Sequence, residues 1–293
     1  MKKILFLTDF SDTSKKAIYF AQMLFDQTAA EFQIVNTYPA LADLTYGTAA
    51  MLQAEDDAAK AQLDELLAEI TKQPIPDFHA YHTTASLGEP VSTAERLLSQ
   101  EPADFLVVGA SGKHASQLLG STATGVIRDC RTNVLIVPAF TQLRPVKEIV
   151  LAVTVTSIND METLLPLKEI LKAKGARLTL LTVTNKANKL TSEEIDQQRN
   201  RIANFLQAES VDPYIIHDDH IEHGINQYLD THHVDLLVTI PHQKSLLDVI
   251  LNTSVTRKLA FKPHVPILTL YEPDPQPTYT DYEEVSVIGL LPY

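Results

Sequence analysis

A chain of 293 residues exceeds the usual size of one domain, so two bodies are expected, each long enough to bury its own core. Its hydrophobic fraction of 45% and charged fraction of 21% are ordinary globular values, and its net charge of -13 argues against a surface that displaces counterions from DNA or RNA. The single cysteine, Cys130, excludes an intramolecular disulfide and fits a reducing compartment, and no apolar run approaches the ~20 residues of a membrane helix.

The first residues, Met1-Lys2-Lys3 followed by an apolar run over 4–7, imitate a signal peptide. Thr8 and Asp9 break the run too early for one, so a first strand and a cytoplasmic protein are expected. Ala17, Phe20, Ala21, Leu24 and Phe25 then share one helix face, and Ser11 and Asp12 can cap its start. A second strand is read over 32–35. A helix follows, carrying Leu63, Leu66, Leu67 and Ile70 and ended by Pro74 and Pro76. A third strand is read over 78–83, a helix behind Gly88-Glu89-Pro90, a buried fourth strand over 105–108 and a fifth over 134–137. Alternation of this kind predicts an α/β fold with a mostly parallel sheet covered on both faces.

The pattern then restarts. Residues 147–153 echo 2–7, 178–183 match the second strand, 214–217 the third, 234–238 echo 103–107, and 265–268 echo the fifth. The interval is too long for a solenoid repeat and predicts a duplicated domain. Residues 1–143 form the first copy, 144–271 the second and 272–293 an acidic, proline-rich tail. The tail reads either as a mobile end or as an arm, its apolar 285–291 docking as a strand.

Ligands of open parallel sheets bind beyond the carboxyl ends of the strands, where strand order reverses. Those ends carry Thr8 and Asp9, then Asn36 and Thr37, then Gly109-Ala110-Ser111-Gly112, with Gly120-Ser121-Thr122 opening a helix. Glycines allow close backbone approach, and free N–H groups at a helix start beside hydroxyls form an anion site. The same residues also read as a tight turn with helix capping, and the residues alone leave both readings open.

Leu7-Thr8-Asp9-Phe10-Ser11, Gly88-Glu89-Pro90, residues 103–109, Gly109-x-x-Gly112 with Gly120-Ser121, and residues 133–137 together resemble the landmarks of universal stress protein domains. The resemblance implies two tandem five-stranded Rossmann-like domains of the adenine nucleotide alpha hydrolase-like type. It implies possible ATP or ADP binding in the first domain only. Asp9 and Thr37 would lie at the nucleoside and Gly109, Gly112, Gly120 and Ser121 at the phosphates. Thr8, Val108, Ser111 and Thr122 would lie beside them. It further implies that the fifth strands pair within the chain as an intramolecular pseudo-dimer. The interval from Gly112 to Gly120 holds seven residues, where the family pattern has nine. A ligand-free interaction module of the same fold therefore stands as the second reading.

The second copy keeps none of the three glycines. Ile240 and Gln243 stand at the positions of Gly109 and Gly112, Thr253 and Ser254 at those of Gly120 and Ser121, and Thr154 at that of Asp9. Pro241 has no N–H for a phosphate. His217, Asp218, Asp219, His220 and His223 contain metal-ligand types, with His220 and His223 on one helix face, but they fall at a strand end where such groups are ordinarily solvated. No metal is expected. Cys130 is read as a small buried residue in the helix before the fifth strand. No catalytic set emerges: there is no nucleophile elbow and no Walker lysine, so no enzyme is expected, and the resemblance implies a stress-response regulatory or binding protein with an unknown protein partner.

Overall fold

The computed structural model describes residues 1–38, 49–110, 120–153, 158, 160–184, 191–208, 211–240 and 264–273. Ten described strands form one sheet in the order β3-β2-β1-β4-β5-β10-β9-β6-β7-β8. The first five are β1 (Lys2–Thr8), β2 (Ala30–Tyr38), β3 (His79–Leu87), β4 (Phe105–Ala110) and β5 (Asn133–Pro138). The others are β6 (Glu148–Val153), β7 (Arg177–Thr184), β8 (Val211–His217), β9 (Leu236–Thr239) and β10 (Ile267–Thr269). Read inward from either edge, the strand order is the same.

Every strand pair is parallel except one. β5 meets β10 antiparallel at the middle of the sheet, with Ile136 opposite Ile267, Leu135 opposite Leu268 and Val134 opposite Thr269. Thr269 Oγ1 donates to the Val134 carbonyl at 3.2 Å, and the Tyr271 N–H donates to Asn133 Oδ1 at 3.0 Å. Pairing these strands removes two open edges from the centre of the sheet.

The helices are α1 (Asp12–Leu24), α2 (Ala49–Ile70), α3 (Pro90–Gln100), α4 (Ser121–Asp129), α5 (Leu165–Lys174), α6 (Ser192–Leu206) and α7 (Ile221–Thr231). Alternation along the strands divides the core. Ile4, Phe6, Phe32, Phe105 and Leu151 face α1, α2, α5 and α6 in one cluster. Leu5, Val35, Leu106, Ile136 and Leu237 face α3, α4 and α7 in the other. A sheet buried on both faces needs these near-continuous apolar runs, which is why they were legible. The first cluster is continuous across the seam. There Lys174 of α5, buried, donates to the Met23 carbonyl and to Asp26 Oδ1 at 2.6 Å, beyond the end of α1. Lys2 reaches Glu169 at 2.8 Å.

Several strands extend beyond their expected bounds, among them β2, β3 and β8. β3 continues to Leu87 because Thr84, Ala85 and Ser86 pair with β2 although they are not an apolar run. β8 begins at Val211 and contains Pro213, which pairs with Leu180. β8 is the outermost strand, so the N–H that proline lacks is not needed on its outer side.

Both halves share one pinning device. Asp104, just before β4, accepts the Lys3 N–H at 2.8 Å. Asp235, just before β9, accepts the Lys147 and Glu148 N–H groups, each at 2.9 Å, and the Arg144 guanidinium at 2.7 Å. Each ties the start of the central strand to its neighbour. Burial pushes the Asp235 carboxyl up, but the two backbone N–H groups and Arg144 outweigh it and hold it below the usual carboxylate range. The tail lies outside the described residues beyond Pro273. Among the described residues, no helix is long and apolar enough to cross a membrane.

Candidate nucleotide site

In the first half the chain runs β1-β2-β3 toward one edge and β4-β5 toward the seam, so strand order reverses between β1 and β4. A cavity of about 320 Å³ opens there at the carboxyl ends of the strands. From β1 it takes Leu7, Thr8 and the following Asp9. From β2 it takes Val35, Asn36 and Thr37, and from β4 Val108 and Gly109. Ser14 of α1, Pro90 of α3 and Thr122 of α4 close it. Six residues read from the sequence therefore line one cavity: Thr8, Asp9, Thr37, Val108, Gly109 and Thr122. Gly120 and Ser121 stand at the start of α4 beside Thr122. Ser111 and Gly112 lie outside the described residues.

The turn from β1 into α1 is held by an ordered chain of hydrogen bonds. Ser11 caps α1 by accepting the Ser14 N–H at 3.2 Å, and donates its own hydroxyl to Asp9 Oδ1 at 2.5 Å. The Ser11 N–H donates to the same oxygen at 3.1 Å. Ser14 Oγ donates to the Ser11 carbonyl at 2.9 Å, so in its 3.0 Å contact with Thr8 the threonine is the donor. Partial burial raises the Asp9 carboxyl, yet the Ser11 hydrogen bonds prevail and hold it below its ordinary value. Asp9 is thus a fixed anion at the cavity mouth.

Phe10, between Asp9 and Ser11, has φ of +61°, a left-handed conformation rare for an aromatic residue. Its N–H donates to Thr8 Oγ1 at 3.0 Å, and its ring packs on the core. Nothing in the residue types signalled this strain. Asn36 was named at its strand end but not as a site residue, and Ser14 was missed although its spacing from Ser11 is that of a helix cap.

The glycines divide by cause. A Cβ on Gly109 would lie 2.8 Å from both the carbonyl carbon and oxygen of Thr13, and 2.9 Å from the Ser14 nitrogen. Gly109 is therefore required by the close approach of α1, as well as bordering the cavity. Gly120 has φ +55° and ψ 160°, a conformation open essentially to glycine alone, and as the N-cap of α4 it brings no side-chain oxygen to the helix start. The first N–H groups of α4 consequently receive no side-chain cap from it.

The second half differs at the matching register. Ile149 pairs with Leu236 as Ile4 pairs with Phe105. Val153 thereby replaces Thr8, Thr182 replaces Asn36, Val183 replaces Thr37, and Ile240 replaces Gly109. Ile240 is buried in the core cluster that α5 covers. A side chain there bars a helix from starting against the strand. Accordingly α5 begins only at Leu165, after a 3-10 turn over Met161–Leu164, whereas α1 starts at Asp12 directly beyond β1. Thr239, at the Val108 position, is 1% exposed and its hydroxyl has no hydrogen-bond partner among the described residues. Thr239→Val should therefore raise stability by about 1 kcal/mol in thermal unfolding; a loss of stability would mean that the hydroxyl is bonded. Thr154, Pro241, Gln243, Thr253 and Ser254 lie outside the described residues.

The histidine run does not share a helix face as expected. α7 begins at Ile221, so His220 is its N-cap, while His223 Nδ1 contacts Asp218 Oδ2. Among the described residues no group of three or more His, Cys, Asp or Glu is placed to hold a metal. Cys130 closes the C-terminus of α4 rather than sitting within it. Burial, with smaller contributions from Glu95 and Asp129, pushes its thiol up to about 12, which leaves it inert as a nucleophile.

Residues 1–138 match the sequence profile of the Universal stress protein family. Comparison with curated proteins gave no match. A universal stress protein from Archaeoglobus fulgidus DSM 4304 shares the fold over 91% of this chain and 97% of its own, at TM-score 0.70 and 16% identity. A protein of Pseudomonas aeruginosa PAO1 described as functionally unknown covers 92% of each chain at TM-score 0.54 and 15% identity. These two show the fold across both halves, and through residues 1–138, a little under half of its length, the chain is similar to the universal stress proteins.

Proposed function

We propose that this protein binds one adenine nucleotide, ATP or ADP, in its first half, and that the bound state is read by a protein partner in a stress response. The nucleoside lies by Asp9 and Thr37. The phosphates lie along Gly109, Ser111 and Gly112 and at the start of α4, Gly120 and Ser121. The observation that carries this reading is one cavity at the strand-order reversal, lined by Thr8, Asp9, Thr37, Val108, Gly109 and Thr122 and bordered by a helix start without a side-chain cap. The second half serves as a non-binding copy, divided from the first near residue 143, with a tail from 272; the two form a pseudo-dimer through β5 and β10. Function as a cytoplasmic regulator rather than an enzyme is part of the same proposal.

A ligand-free interaction module is the second reading. It is favoured by the described lining of the cavity, which contains no lysine or arginine to meet a phosphate. Mass spectrometry of small molecules released from the denatured protein, with calorimetric titration of ATP and ADP, separates the two. One site per chain is expected, weakened about tenfold or more in Asp9→Ala and unchanged in Thr239→Val. Two sites per chain would overturn the asymmetric assignment. No binding at millimolar nucleotide would leave the interaction module.

A further inference from the structure

Building on the nucleotide reading, we propose that Asn36 selects the base: its side-chain oxygen accepts an amino group, so an amino base is taken and an oxo base refused. Asn36 is 7% exposed and lines the cavity at the end of β2. Parallel pairing sets it opposite Thr8, and its Nδ2 donates to the Thr8 carbonyl at 2.8 Å. That bond fixes the amide. Turned over, Oδ1 would face the Thr8 carbonyl, acceptor against acceptor. Oδ1 therefore points away from Thr8, and no donor among the described residues reaches it. Asn36 lines the open cavity, so a ligand N–H can replace water at this acceptor.

The rest of the cavity gives the ligand a direction. Asp9, a second acceptor, stands at the adjoining end of β1, its carboxyl held ionised by Ser11. Thr122 and the start of α4 lie beyond β4, where backbone N–H groups favour an anion. A nucleotide with its phosphates toward α4 brings its base to Asn36 and Asp9, and that end must donate. Adenine presents an exocyclic amine, whereas hypoxanthine has the same outline with a carbonyl oxygen. In the second half Thr182 stands in place of Asn36.

The test is calorimetric titration of the full chain with ATP and with inosine triphosphate. The unmodified protein should prefer ATP by about tenfold or more. Asn36→Leu, close in volume but without the acceptor, should bind the two within about twofold, mainly by losing affinity for ATP. Circular dichroism checks its folding. If it fails to fold, Asn36→Val replaces it, matching in size the Thr182 that the fold carries at this register. Equal affinities in the unmodified protein, or a preference for ATP that survives the substitution, overturn the role of Asn36. Heat from neither nucleotide overturns the nucleotide reading itself, and the two failures are thereby told apart.

Discussion

Gly109→Val should lower the stability of the chain by about 3 kcal/mol, the upper range of overpacking. The reason is geometric. Even the first atom of a side chain would come within 2.8 Å of Thr13 backbone carbon and oxygen and 2.9 Å of the Ser14 nitrogen. Those atoms belong to the first turn of α1 and cannot swing aside as a side-chain end could. Relief requires α1 to withdraw, as the late start of α5 illustrates opposite Ile240. Withdrawal would also pull Ser11 from Asp9 and Ser14 from Thr8, so any ligand of the cavity should be lost together with stability. Urea unfolding followed by circular dichroism measures the first effect and calorimetry the second. A variant as stable as the parent would show that the sheet, rather than the helix, can yield.

Asp235→Ala should be comparably harmful, costing about 3 kcal/mol or more. The side chain is 3% exposed, and its loss would strand the Lys147 and Glu148 N–H groups as well as releasing Arg144. Asp104→Ala removes the matching group in the first half, but that side chain is 37% exposed and holds only one backbone N–H, so about 1 kcal/mol is expected. The pH dependence has a definite sign. Asp235 titrates lower in the folded chain than in the unfolded one, so it contributes stability above the unfolded value near 3.9. That contribution should fade as pH falls from about 4 through the folded value. The gap in unfolding free energy between the parent and Asp235→Ala, measured from pH 7 to 3, should narrow toward the acid end. A gap that stays constant with pH would assign the effect to packing rather than to the charge.

The strands of the first half were legible because a strand buried on both faces must be apolar at nearly every position, as residues 4–7, 105–108 and 134–137 are. The restart of the strand pattern in the second half was legible for the same reason, and so was Asp235 as the echo of Asp104. Residues at strand ends could be named because chain direction alone places them at the binding edge of a parallel sheet. Thr8, Asp9 and Thr37 are placed at that edge by chain direction.

The amino-acid sequence thus determined the α/β class, the restart of the strand pattern and the rim from which a site could be built, all of which follow from local periodicity and composition. Tertiary structure alone decided the rest. The β5–β10 seam depends on two segments far apart in the chain lying antiparallel. The continuation of β3 and the place of Pro213 within β8 depend on which strands end up at the edges of the sheet. Gly109 looked like a phosphate glycine, and only the approach of α1 showed that its missing side chain is needed for helix packing. Asn36 is an ordinary strand-end polar residue until its amide is tied to the Thr8 carbonyl at the lining of a cavity. These features arise from distances between segments remote in sequence, and such distances leave no periodic mark in the chain itself.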